Sequence, residues 1–209
     1  MMNINKEILL ITQKIRTLSR NGLVYVDNEY DKERYEELLK LNDRLTALVT
    51  NQTEEAIRST YVLEKEYTTP KVDVRSVIFN EKDEILLVKE RADGLWSLPG
   101  GWADVGFSPK EVAEKEVEEE TGLKVKAGRL LAVMDKKCHN HPPANHYAYK
   151  IFILCEIIGG QMREAFDILD KGFFKQDSLP PLSEERVLQT QIDLMFEYKN
   201  DPTKAAYVD

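Results

Sequence analysis

Between Gly101 and Leu123 the chain reads G-W-A-D-V-G-F-S-P-K-E-V-A-E-K-E-V-E-E-E-T-G-L. Glu116, Glu119 and Glu120 stand at i, i+3 and i+4, a spacing that raises three carboxylates from one helix face. Such crowded like charges repel unless a cation sits among them. Oxygen-only donors favour a hard ion, Mg²⁺ or Mn²⁺, which keeps several waters and shares substrate phosphates. An acidic helical run is ordinarily a solvated face. Here Leu98-Pro99-Gly100-Gly101 comes just before it, and two adjacent glycines let the backbone approach a ligand closely.

The helix that must carry these acids can be read at both ends. Ser108 is the predicted N-cap, Pro109 takes the first helical position, and Glu111 is the capping-box acid. Gly122 is a left-handed stop. Val112, Ala113 and Val117 form the predicted packing side.

This arrangement resembles the Nudix hydrolase signature, G-x5-E-x7-R-E-U-x-E-E-x-G-U, where U is a bulky aliphatic. Gly101, Glu116, Val117, Glu119, Glu120, Gly122 and Leu123 match in register. Two positions depart: Phe107 stands where the family usually has glutamate, and Lys115 where it has arginine. In the family those two residues commonly pair, so a changed structural tie is expected, with Phe107 as an apolar packing residue. The resemblance implies an α+β fold, a Nudix α/β/α sandwich around a mixed sheet. It also implies metal-dependent hydrolysis of a nucleoside diphosphate linked to another moiety. Glu116, Glu119, Glu120 and the Gly101 carbonyl are the implied metal ligands. The general base stays open between Glu119 and Glu120 inside the signature and Glu164 outside it.

The surrounding chain is one of 209 residues with net charge −8. Seven acids against two lysines in the signature stretch supply −5 of that, so the acidity is concentrated where a metal would neutralise it. The balance argues against non-specific nucleic-acid binding, which needs a basic surface. Two cysteines, Cys138 and Cys155, make no disulfide framework, which points to a reducing cytoplasm. No apolar run approaches membrane-spanning length.

Residues 1–66 read as a small helical module. Ile8, Ile11, Ile15 and Leu18 keep helical spacing up to Gly22, the expected stop of the first helix. Asp31 to Thr50 is a second helix, with Tyr35, Leu38, Leu39, Leu45 and Leu48 on its expected buried side, and Gln52 to about Glu64 a third. Three short helices are marginal alone, which points to homodimerisation or to substrate gating. Thr68-Thr69-Pro70 marks the boundary to a catalytic domain at 67–200, followed by a loose tail at 201–209.

Within that domain Val72 to Ile78 alternates as a strand, and Ile85 to Val88 returns after a turn. Arg75 on the first of these is a candidate phosphate clamp. Arg129 to Met134 and Tyr147 to Ile158 are further strands, and Gly159-Gly160 a hairpin turn. The loop from Cys138 to His146 holds all three histidines. His139 in it is a candidate substrate contact. Ser183 is the predicted N-cap of a last helix. Trp96 reads as core, whereas Trp102, beside the metal loop, is placed to touch substrate.

The helical extension, T-T-P-K-V-D-V-R and G-G-W-A-D-V-G resemble the bacterial CDP-choline pyrophosphatase group. That implies hydrolysis of CDP-choline to CMP and phosphocholine. A quaternary ammonium offers no hydrogen-bond donor, so aromatic faces and nearby acids must recognise it; Trp102 and Asp104 can provide both. The alternatives are an ADP-ribose pyrophosphatase, an RNA-end-processing enzyme and a catalytically silent nucleotide sensor.

Overall fold

The structure is a computed structural model describing residues 4–61, 68–104, 106–144 and 146–209. It forms two compact units, residues 1–70 with 142–147, and residues 71–141 with 148–209. None of the described helices is long and apolar enough to cross a membrane.

The first unit consists of α1 (Ile4–Tyr25), α2 (Glu29–Thr50) and α3 (Glu54–Thr60). Asn28 caps α2 by accepting a hydrogen bond from the Asp31 amide at 2.9 Å, and Asn51 ends it in the left-handed conformation. Thr53 caps α3 in the same way. Gly22 does not stop α1, which continues to Tyr25. A β-carbon at 22 would overlap the Tyr35 ring, so this glycine serves the close approach of two antiparallel helices. The third helix ends at Thr60, and the further residues expected in it, 62–64, lie outside those described.

The side of α2 expected to be buried is largely solvent-facing. Leu38, Leu45 and Leu48 are exposed, as are Ile11 and Leu18 of α1. The positions buried instead are mostly polar: Thr12, Arg16, Ser19 and Arg20 beside Leu9 on α1, and Asn42, Asp43 and Thr46 beside Ala47 on α2. Arg16 pairs with Asp43 at 2.5 Å and stacks 3.8 Å from the Tyr61 ring centroid. The segment 142–147 belongs to this unit through Gln13, whose amide donates to the Ala144 carbonyl, and His146, which meets Tyr61 edge-on.

The second unit holds two sheets. One runs β4 (Gly100–Trp102), β1 (Lys71–Ile78), β6 (Ala148–Gly160), β5 (Leu123–Asp135), β8 (Tyr207–Val208); the other runs β3 (Trp96–Ser97), β2 (Ile85–Glu90), β7 (Ile168–Phe174). The five-stranded sheet is mixed, with β1 parallel to β6 and antiparallel to β4. Helix α4 (Pro109–Thr121) packs Val112, Ala113 and Val117 against Val74, Ile78 and Ile153. Helix α5 (Gln189–Asn200) packs Ile192, Met195 and Phe196 against Val77, Leu131 and Phe152. The result is the expected α+β sandwich of helices enclosing a mixed sheet.

Three local expectations change. Gly159-Gly160 is no hairpin turn, because both residues continue β6 and pair with Lys124 and Leu123. Their positive φ angles let Gly160 lie against the Gly122 carbonyl, where a β-carbon would meet it at 2.5 Å. Ser183 begins a single turn rather than a helix; its hydroxyl donates to Asp93 at 2.7 Å, and α5 starts after Leu188. The tail is ordered: Tyr207 and Val208 add a parallel strand beside Ala132 and Val133.

Candidate active site

The loop before α4 is held by its own backbone. Gly100 and Gly101 pair with Arg75 and Val74 of β1, and Ser76 donates its amide to the Pro99 carbonyl at 2.8 Å. Gly100 has φ near +140°, and a β-carbon there would collide with the Val74 carbonyl oxygen. The capping box forms as the sequence predicts: the Ser108 amide donates to Glu111 Oε2 at 2.8 Å, and the Glu111 amide donates back to Ser108 Oγ. Gly122 closes the helix at φ +80°.

The three signature carboxylates are not equivalent. Glu120 falls on the buried side with Ala113 and Val117 and is 5% exposed, accepting from the Gly100 amide at 3.0 Å. Glu116 is half-buried; a β-carbon at Gly101 would lie 3.2 Å from its Oε2, so the missing side chain leaves room for that carboxylate. Glu119 is largely exposed. Lys115 Nζ lies among the outer acids, 3.0 Å from Glu119, 3.4 Å from Asp104 and 3.8 Å from Glu116. Among the described residues, no group of three or more His, Cys, Asp or Glu side chains closes on one point.

Electrostatics set Glu116 and Glu120 apart. Burial pushes Glu120 well above the ordinary glutamate range; Arg75 opposes the shift and Glu90 adds to it. Burial likewise raises Glu116, with Lys115 lowering it and Glu119 raising it. Both carboxylates are therefore under-compensated, a state that a divalent cation relieves. Oxygen donors at a glycine cradle fit a hard ion of the Mg²⁺ type.

Arg75 lies beneath the loop, not on an open face. Its Nε donates to Asp73 at 2.9 Å and its Nη1 to the Leu98 carbonyl at 3.0 Å, with Glu90 at 3.9 Å. Lys150 Nζ donates to the other Asp73 oxygen. Glu90 also accepts from the Ser97 hydroxyl and pairs with Arg186. The guanidinium expected to hold phosphate is thus committed to a buried network that anchors the loop carrying Gly100. Asp73, Glu90 and Lys150 were not foreseen in this role. Lys150 offered a signal, as a cation inside the apolar run of β6.

The other candidates scatter. Trp102 is 51% exposed on β4, directly after the glycine cradle. Asp104 is exposed and engaged by Lys115. Phe107 is 47% exposed, so about half of its side chain faces solvent. His139 meets Asp209 at 3.2 Å, so the ordered C-terminal segment, not the carboxylate helix, is its neighbour. Glu164 is exposed in the segment between β6 and β7. Arg163 donates its amide to the Thr121 carbonyl at 2.9 Å, which ties that segment to the end of α4. No described contact joins Glu164 itself to Glu116, Glu119 or Glu120.

This arrangement of glycine loop, carboxylate helix and mixed sheet is that of a pyrophosphohydrolase family, as comparison with known proteins shows. The NUDIX domain model matches residues 69–179, and a model described as a UDP-X-like, N-terminal oligomerisation domain matches residues 6–61. The chain is 41% identical over 209 residues, all of both chains, to YjhB of Bacillus subtilis (strain 168), which carries the provisional name ADP-ribose pyrophosphatase. Among solved structures, an ADP-ribose pyrophosphatase from Streptococcus suis is 44% identical with a TM-score of 0.62, covering 68% of this chain and 100% of that one. A UDP-X diphosphatase is 33% identical with a TM-score of 0.64, covering 98% of this chain and 99% of that one. The chain belongs to the Nudix hydrolase family and is a Nudix pyrophosphohydrolase. Enzymes of this family generally use divalent metal ions.

Proposed function

We propose that this enzyme hydrolyses the pyrophosphate bridge of a nucleoside diphosphate joined to a second group, with ADP-ribose preferred over CDP-choline. The full-length likeness to a relative named for ADP-ribose carries this order of preference. The similarity to a UDP-X diphosphatase supports the wider substrate class. Glu116, Glu119, Glu120 and the Gly101 carbonyl are the groups assigned to hold Mg²⁺ or Mn²⁺. The bound ion would neutralise charge developing on the phosphates and lower the pKa of an attacking water. Glu120, held by the Gly100 amide, is the fixed member of the set. A carboxylate takes the proton from the water. Glu119, Glu120 and Glu164 remain the candidates, and the Arg163–Thr121 tie keeps Glu164 in consideration.

CDP-choline stays as the second reading because Trp102 displays its ring beside the cradle. Asp104, the proposed acid for the choline cation, is engaged by Lys115, which weakens that half of the idea. The deciding measurement is kcat/KM on ADP-ribose, a UDP-sugar and CDP-choline with Mg²⁺ and with Mn²⁺, products identified by mass. Higher efficiency on CDP-choline than on ADP-ribose would overturn the order.

The helical module is assigned to homodimerisation. Ile4, Ile11, Leu18 and Tyr25 recur every seven residues on α1, and Leu38, Leu41, Leu45 and Leu48 keep three- and four-residue spacing on α2; all are exposed. That is the seam helices use to associate, and the matching oligomerisation model supports it. The cytoplasm is the assigned compartment.

A further inference from the structure

Lys115 occupies a position of conflict. Its ammonium lies 3.0 Å from Glu119 and 3.8 Å from Glu116, two of the carboxylates assigned to the divalent ion, and 3.4 Å from Asp104, which is assigned no metal role. A lysine ammonium is a compact point charge on a flexible four-carbon stem, free to exchange partners without the planar matching that a guanidinium requires. Glu119 and Asp104 are both well exposed, so neither is locked to the lysine by packing. Glu116, by contrast, is half-buried against the Gly101 cradle.

We propose that Lys115 is a tethered competitor for the cation site and that Asp104 is the alternative anchor that draws its ammonium away when a divalent ion binds. The proposal rests on the assignment of Glu116 and Glu119 as ligands. Without an ion, Lys115 neutralises the outer carboxylates and lowers their mutual repulsion. With an ion, a second cation at the same oxygens is repelled, and the Asp104 carboxylate, already 3.4 Å from the ammonium, keeps it. The loop residue thereby sets metal affinity through the lysine, not by touching the ion.

The test is calorimetric titration of the full-length protein with Mn²⁺ alone, without substrate. Lys115→Gln should bind Mn²⁺ about two- to fivefold more tightly, the span that loss of one exposed ion pair supports. Asp104→Asn should bind it more weakly by a similar factor, because the lysine then has only the glutamates. The double variant should match Lys115→Gln alone, since Asp104 has nothing left to hold. Lys110→Gln, an exposed lysine on the same helix, removes the same charge without the contact and should leave affinity near the parent's.

Weaker or unchanged binding in Lys115→Gln overturns the competition. An Asp104→Asn loss that persists in the Lys115→Gln background overturns the anchoring role and makes Asp104 act directly. Equal tightening in Lys110→Gln reduces the effect to bulk charge. A parent that binds no Mn²⁺ defeats the ligand assignment itself, a result distinct from flat variants on a metal-binding parent. Metal-free melting temperatures of all four variants check that the fold is shared.

Discussion

The two units of this enzyme bury charge in opposite settings. In the helical unit the buried positions of α1 and α2 are mostly polar, while leucine and isoleucine stripes face outward. In the catalytic unit the cores are apolar, and buried charge gathers at the glycine loop, in the Asp73–Arg75–Glu90–Lys150 network and at Glu120. The first pattern leaves apolar surface looking for a partner. The second spends desolvation on rigidity beneath a site, since a buried pair is weak support for stability but fixes geometry when every member is satisfied.

The sharpest break of this contrast is at Glu120. Glu120→Gln keeps an acceptor for the Gly100 amide but removes the charge proposed to hold the ion. Turnover should fall by about two to three orders of magnitude, several kcal/mol of lost charge stabilisation. The metal-free protein should melt higher, because burial makes the ionised Glu120 unfavourable at neutral pH. Each kcal/mol relieved is worth about 2–4 °C. A variant that is as active as the parent, or less stable than it, would show that Glu120 is structural rather than functional.

Asp73→Asn tests the network from the other side. It strands Arg75 and Lys150 without their shared carboxylate, and unfolding free energy should drop by about 3–5 kcal/mol in denaturant titrations. Burial alone would raise the Asp73 pKa, but Arg75 and Lys150 outweigh it and hold the pKa below its ordinary value. The folded pKa is depressed, so this stabilisation is complete above the ordinary aspartate value of about 3.9 and is lost as pH falls through the folded value. The variant should therefore lose the parent's acid-limb dependence in that window. An unchanged acid limb would place the stabilising charge elsewhere.

These two positions also mark how far the sequence could be read. Glu120, its helix and both helix ends followed from spacing and capping chemistry, because those signals are local, whereas the fold class came from the resemblance of the whole stretch to a known family. Asp73 and Arg75 alternate with apolar residues on β1, which reads as a strand with one wet face. Only the second sheet and α5, supplied by distant segments, make that face interior. Gly22 misled for a similar reason: a glycine stop and a glycine that admits a tyrosine ring look alike until the neighbouring helix is known. The ordered tail has no local signal, since Tyr207 and Val208 form a strand only by pairing with β5.

A smaller effect belongs to the outward stripes. Leu48 is 74% exposed in the single chain, so Leu48→Glu should change the chain's own stability by no more than about 0.5 kcal/mol. If the stripe is a dimer seam, association should weaken by about 1.5–3 kcal/mol, the worth of one buried leucine. Light scattering across a concentration series reads both the parent mass and the shift. A parent with single-chain mass at high concentration ends the dimer reading.

The smallest expected effect discriminates between substrates. Trp102 projects from the strand that ends the glycine cradle, so its ring can face a cation, stack on a base, or merely cover the loop. A partly exposed cation–π contact is worth about 0.5–1 kcal/mol, so Trp102→Leu should lower kcat/KM for CDP-choline by about two- to fivefold. ADP-ribose has no quaternary ammonium, and its efficiency should change by less than about twofold on the same reasoning. Equal losses on both substrates would assign the ring to the nucleoside side, where either base can stack. No loss on either would leave Trp102 as cover for the loop, and choline recognition would then have no aromatic support at the cradle.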